Sequence, residues 1–127
     1  MIEQIIYVVL GIIGFTILNI LSTLLYNKLN INSAIIILPI FSLIVYAIYP
    51  IISIKVASIG GNINGVVAGV IIGVYNSTIG ILITKKIITA DDIKWKITPK
   101  GVFYGIVIAV TISIVSIVSI YIYNQLK

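Results

Sequence analysis

The sequence predicts an all-α fold: four long hydrophobic helices in an antiparallel, membrane-type bundle, forming one domain over residues 1–127. Three observations carry this. Of the 127 residues 61% are hydrophobic, and Ile alone fills 35 positions. Charge is scarce, with 8 Lys, 3 acidic residues and a net of +5. A water-soluble domain needs more charged surface than this to stay apart from its neighbours, and a disordered chain would be poor in apolar residues. The charges also leave uncharged stretches of 24, 26, 29 and 26 residues, bounded by Glu3, Lys28, Lys55, Lys85, Lys100 and Lys127. A helix crossing a bilayer takes about 20 apolar residues, so each stretch suffices and no soluble domain remains.

The first helix is expected over residues 4–27. Its start, Met1-Ile2-Glu3, has no basic n-region, and its apolar run exceeds that of a secretory signal. No basic cleavage site of the type IV pilin kind precedes it, so it should persist in the mature protein. Asn27, Lys28, Asn30, Asn32 and Ser33 then form a polar turn, with Asn32 or Ser33 placed to cap a second helix over 33–56. Pro39 and Pro50 lie inside that helix and predict a kink or early break near Tyr49-Pro50. The third helix is expected over 61–84. The fourth covers 99–125, opened by Thr98 as N-cap and Pro99 at the first helical position. Ile-rich runs favour strands by propensity, but runs of this length far exceed ordinary strands.

Residues 85–100 are the only long polar segment. Thr89 and Asp92 have capping-box spacing. Ile93, Lys94, Trp95, Lys96 and Ile97 then alternate apolar and basic, the period of an extended chain. An extended basic loop follows from this, with Ile93, Trp95 and Ile97 against an apolar surface and Lys94 and Lys96 turned away. Four spans place Lys28, Lys85, Lys86, Lys94, Lys96 and Lys100 on one side, and Lys55 and Lys127 on the other with the termini. The positive-inside rule then sets the basic loops in the cytoplasm and both termini outside. Tyr7, Tyr49, Tyr121 and Tyr123 are expected in one aromatic belt, and Tyr26, Trp95, Phe103 and Tyr104 in the other.

The third helix holds the most specific pattern. Gly61, Gly65, Gly69 and Gly73 recur every four residues and Ser77 extends the series, a glycine zipper along which another helix can approach closely. In water, four glycines cost such a helix roughly 4 kcal/mol relative to alanine, so tight packing should compensate. The stripe drifts around the helix, which suits a right-handed crossing. On the fourth helix Gly101, Gly105, Ala109 and Ser113 repeat in the same way, followed by Ser116 and Ser119. Gly11 and Gly14 notch the first. These seams can hold one chain together, join copies of it, or line a pore. Tyr75, Asn76, Ser77 and Thr78 lie deep in the third helix, where Thr16, Asn19 and Thr23 could pair with them; Asn76-Ser77-Thr78 is no glycosylation acceptor there.

Much chemistry is missing. The chain has no His and no Cys, so no Cys/His metal site and no disulfide can form. The adjacent Asp91-Asp92 pair sits among lysines, where it tempers their charge or caps a turn, and no base stands ready to activate a serine. Neither catalytic residue, metal nor cofactor is expected. Ion-coupled transport needs ionisable groups inside the membrane, and every charge here lies at an end or in a loop. Lys85, Lys86, Lys94, Lys96 and Lys100 have two open readings. They hold the loop cytoplasmic and touch anionic lipid, or they contact nucleic-acid phosphates without reading sequence, with Trp95 as the interfacial aromatic.

Taken together, the apolar helical chain without Cys or His, the zipper Gly61, Gly65, Gly69, Gly73 and the basic segment Lys94-Trp95-Lys96 resemble the hydrophobic coat proteins of spindle-shaped archaeal viruses. The likeness is one of composition and layout across the whole chain. It implies a helical shell of subunits inserted in the membrane before assembly, a homo-oligomeric array enclosing double-stranded DNA in the virion, with the basic loops toward the genome. The expectation is therefore a non-enzymatic, self-assembling structural protein of coat or capsid type. The alternative is a small polytopic membrane protein, an accessory subunit of a membrane complex or a holin-like passive pore.

Overall fold

The structure, a computed structural model, describes residues 1–28, 31–87 and 97–126, without the side chains of 26–27 and 31–38. Helix α1 covers Ile2–Lys28 and α2 covers Ile31–Gly60. Helix α3, Asn62–Tyr75, passes into a π-helical turn at Asn76–Gly80 and then into α4, Ile81–Ile87. Helix α5 is Pro99–Gln125. Four spans, Ile2–Leu25, Pro39–Gly60, Asn62–Ile87 and Pro99–Gln125, are long and apolar enough to cross a membrane. The described residues contain no strand.

Element boundaries follow local chemistry. Glu3 in the first turn of α1 and Lys28 in its last complement the helix dipole. Helix α2 begins two residues before Ser33 and does not break at Pro50, running on to Gly60. Lys55 does not end it either, because a lysine near a helix end can extend to the membrane surface. What ends it is Gly61, whose φ of 90° is closed to most side chains. The Gly61 amide donates to the Ala57 carbonyl at 2.8 Å, and Asn64 Nδ2 donates to the Gly60 carbonyl at 2.8 Å. Gly61 is thus the single link between α2 and α3 rather than the first rung of the zipper. At α5 the Gly101 amide donates to Thr98 Oγ1 at 3.0 Å, with Pro99 in the first turn.

Pairwise contacts give the helix directions. Along α1, Gln4 lies against Gly60, Gly11 faces Ile52 and Gly14 faces Ile48, so α1 and α2 are antiparallel. Gly11 also faces Ile72, and Thr16 meets Tyr75, so α1 and the third span run parallel. The third span and α5 are antiparallel, since Gly65 meets Ile117 and Gly73 meets Ala109. Phe15, Tyr49, Ile52, Val56, Ala68, Ile72 and Ala109 form the core. Tyr49, assigned by sequence to an aromatic belt, is 1% exposed and packs edge-on against Phe15 with ring centroids 5.0 Å apart. It lies eleven residues before the end of α2, about 16 Å along the axis, too deep for the interface. The belt residues Phe103, Tyr104, Tyr121 and Tyr123 are exposed.

Gly73 provides a test of this packing. A Cβ there would lie 2.6 Å from the Ala109 Cβ and 3.2 Å from the Gly105 carbonyl oxygen, and neither neighbour is a flexible side-chain tip. Overpacking of this kind costs about 1–3 kcal/mol. Gly73→Ala should lower unfolding stability in detergent micelles, and Ala109→Gly in the same chain should relieve it, giving a coupling of about 1 kcal/mol in a double-mutant cycle. Strict additivity would show that the two helices do not meet there.

Candidate functional site

The sequence-selected small residues fall into two groups. Gly65, Gly69, Gly73 and Ser77 of the third span are buried and face Ile117, Ser113, Ala109 and Gly105 of α5 in that order. The two four-residue repeats run past each other in opposite directions and stay in register for three turns. A Cβ on Gly69 would run into Ser113 Oγ, and one on Gly105 into Ser77 Oγ. Gly61 and Gly101 stand outside this ladder. Gly61 is exposed with nothing around it, and the near neighbour of Gly101 is its own capping residue Thr98. The zipper is therefore spent inside one chain.

Polar groups close the same interfaces. Ser113 Oγ donates to the Ala109 carbonyl at 2.7 Å, which uses its only proton. The 2.7 Å contact between Ser53 and Ser113 must then have Ser53 as donor, tying α2 to α5 at a point where both residues are fully buried. Ser53 also stands beside Gly65 and Gly69. Its one signal in the sequence, outside the glycine repeats, is the small-xxx-small spacing of Ser53 and Ala57.

The second cluster surrounds the π turn. Thr16 Oγ1 donates to the Ile12 carbonyl at 2.8 Å, so its 2.6 Å partner Tyr75 supplies the proton between them. Asn19 Nδ2 donates to Asn76 Oδ1 at 3.1 Å. Gly80 makes room for this amide pair, since a Cβ there would sit 3.0 Å from Asn76 Oδ1 and 3.1 Å from Asn19 Nδ2. Thr23, the third expected partner on α1, instead donates to the Asn19 carbonyl at 2.7 Å. A π turn loosens the i→i−4 ladder, and hydroxyls engage the carbonyls around it: Ser77 bonds the Gly73 carbonyl at 2.8 Å and Thr78 that of Val74 at 2.6 Å. Beside the amide pair a cavity of about 180 Å³ is lined by Asn19, Ser22, Phe41, Ser42, Val45, Tyr46 and Asn76.

Helix directions place Lys28, Lys85, Lys86 and Lys100 at one end of the bundle, all exposed, while Glu3 and Lys55 lie toward the other. Lys100 Nζ rests 5.8 Å from the centre of the Tyr104 ring, a cation–π contact suited to the membrane surface. Lys94, Trp95, Lys96 and the Asp91-Asp92 pair, with the extended loop assigned to them, lie outside the described residues. Among the described residues no group of three His, Cys, Asp or Glu could hold a metal ion.

Fold and site together define the class: an all-α protein with four helices long and apolar enough to cross a membrane, a small-residue seam and a hydrogen-bonded interior. Compared with protein-family models, curated proteins and solved structures, the chain matches none.

The amide pair can be tested directly. Interhelical hydrogen bonds within a membrane average about 0.6 kcal/mol and reach about 1.7 kcal/mol. Asn19→Ala and Asn76→Ala should couple within that range in a double-mutant cycle. Gly80→Ala, which crowds both amides, should reduce stability while both asparagines remain. A coupling of zero would remove the pair as a link between α1 and the third span.

Proposed function

We propose that this chain is a non-catalytic integral membrane subunit: a small polytopic protein that folds as a self-contained bundle and acts by contact, as an accessory component of a larger membrane assembly. The observation that carries this reading is the internal use of the zipper. Because Gly65, Gly69, Gly73 and Ser77 are covered by α5, the chain's best packing device holds the subunit together and leaves the outer faces of α1 and α5 for lipid and partners. Those faces are extensive, since only 11% of the most apolar stretch of α1 and 17% of that of α5 is buried. With Lys28, Lys85, Lys86 and Lys100 at one end, the positive-inside rule sets that end in the cytoplasm, against anionic lipid. The absence of His and Cys agrees with action by contact rather than by catalysis.

The coat-type reading needs a joint between copies, and the seam that would have provided it is occupied within the chain. That reading now rests on composition, apolar outer faces and the basic end. One preparation separates the two. Membranes sedimented without detergent, treated with nuclease and then solubilised mildly should yield a small, defined complex with no protected nucleic acid. Regular dense particles holding nuclease-protected DNA would overturn the accessory reading and make the lysines genome contacts.

Orientation has its own test, because the chain has no native cysteine to confuse labelling. A cysteine at Thr98 should react with an impermeant thiol reagent only from the cytoplasmic side, and one at Ser58 only from outside. The reverse pattern would invert the topology.

A further inference from the structure

The cavity beside the π turn differs in kind from the other hollows of the bundle. Two larger grooves, about 360 and 270 Å³, are lined mainly by Val and Ile: one by Ile63, Val66, Val67, Ile114, Ile117 and Val118 with Asn62, the other by apolar residues of α1, α2 and α3 with Gln4 and Asn64. Acyl chains match such walls. The smaller cavity of about 180 Å³ has the amides of Asn19 and Asn76 and the hydroxyls of Ser22, Ser42 and Tyr46 around it, with Phe41 and Val45 completing the wall. In hydrocarbon, polar groups find no partners except one another and whatever water the protein admits. A cavity holds water when it is polar, roomy and offers two to four polar partners, and this one meets all three conditions.

We propose that this cavity is an aqueous cleft that carries water, and small uncharged hydrogen-bonding solutes of the same chemistry, into the hydrocarbon depth of the membrane. Its position supports the route. Ser22 lies six residues before Lys28, about 9 Å along the axis from the lysine-bearing end. Each asparagine carries two N–H donors and an acceptor oxygen, and the Asn19–Asn76 bond uses one donor of the first and one acceptor site of the second. Among the described residues no charged side chain lines the cleft, so a bare ion entering it would meet no counter-charge there and would lose its hydration. The occupant is therefore neutral. The π turn supplies the geometry, since its wider backbone offsets Asn76 from the straight ladder below it, and Gly80 leaves space for the amide pair at the cleft wall. This inference stands apart from the accessory-subunit reading, because either can fail alone.

Thiol reactivity in the full-length protein, reconstituted in vesicles opened to both sides, tests it. Methyl methanethiosulfonate, a small uncharged reagent, reacts with the ionised thiol, which forms only where water reaches. Ser22→Cys and Val45→Cys place the probe on two helices that wall the cleft. Leu43→Cys, 71% exposed on the outer face of α2 and two residues from Val45, is the lipid-facing control at similar depth. Both cleft positions should react at least ten times faster than Leu43→Cys, and a few molar of urea or glycerol, as a small neutral solute, should enter without abolishing the reaction. If neither cleft position exceeds the control, or only one does, the cleft is not a continuous aqueous site and the proposal falls. If a solute blocks both positions completely, the cleft binds that solute tightly in place of water, and the claim of a water-carrying cleft falls as well.

Discussion

Everything in this fold depends on how closely the third span and α5 approach. In a bilayer, helices gain little from burying apolar surface against one another, because lipid tails are as apolar as leucine. Association therefore rests on van der Waals contact and hydrogen bonds, and both need backbones near each other. The ladder that sets Gly65, Gly69, Gly73 and Ser77 against Ile117, Ser113, Ala109 and Gly105 provides that approach. The buried Ser53–Ser113 bond is possible only because neither neighbouring glycine carries a side chain. Helix α2 is drawn onto the same seam through Ser53 and Ala57, and α1 follows through Gly11 and the Thr16 and Asn19 bonds to the third span.

Hydropathy showed where the spans lie but not which way they face. Charge spacing was enough to locate four helices, because a lysine or acid every 25 to 30 residues can be accommodated only at span ends. The N-cap and Pro at Thr98-Pro99 located the start of α5 to the residue. Facing was a different matter. The helices are apolar all round, so no amphipathic stripe reports the buried side. The information lies in small residues instead, and the four-residue repeats on two helices were legible for that reason.

The misreadings have physical causes. Gly61 fits the zipper spacing, but Gly60-Gly61 is also a turn signal, and the positive φ at Gly61 shows which role prevails. Tyr49 resembled a belt residue and stands beside Pro50, where the sequence predicts a kink or early break. In a membrane the freed carbonyl of a proline-containing helix can be satisfied locally, so the helix continues and carries Tyr49 into the core. The π turn left no mark in the sequence pattern beyond the polar run from Tyr75 to Thr78, whose partners on α1 were partly foreseen.

The one-residue link at Gly61 has a bearing on how the protein is made. Two spans joined with no intervening loop cannot enter the bilayer one at a time without leaving a hydrophobic helix stranded in water. Helix α2 and the third span should therefore cross the translocation machinery as a closed hairpin, dragging Lys55, Ser58, Asn62 and Asn64 through the apolar layer. The Asn64 bond to the Gly60 carbonyl lightens even that load. On this view the tightest turn in the molecule is a device of biogenesis as much as of architecture.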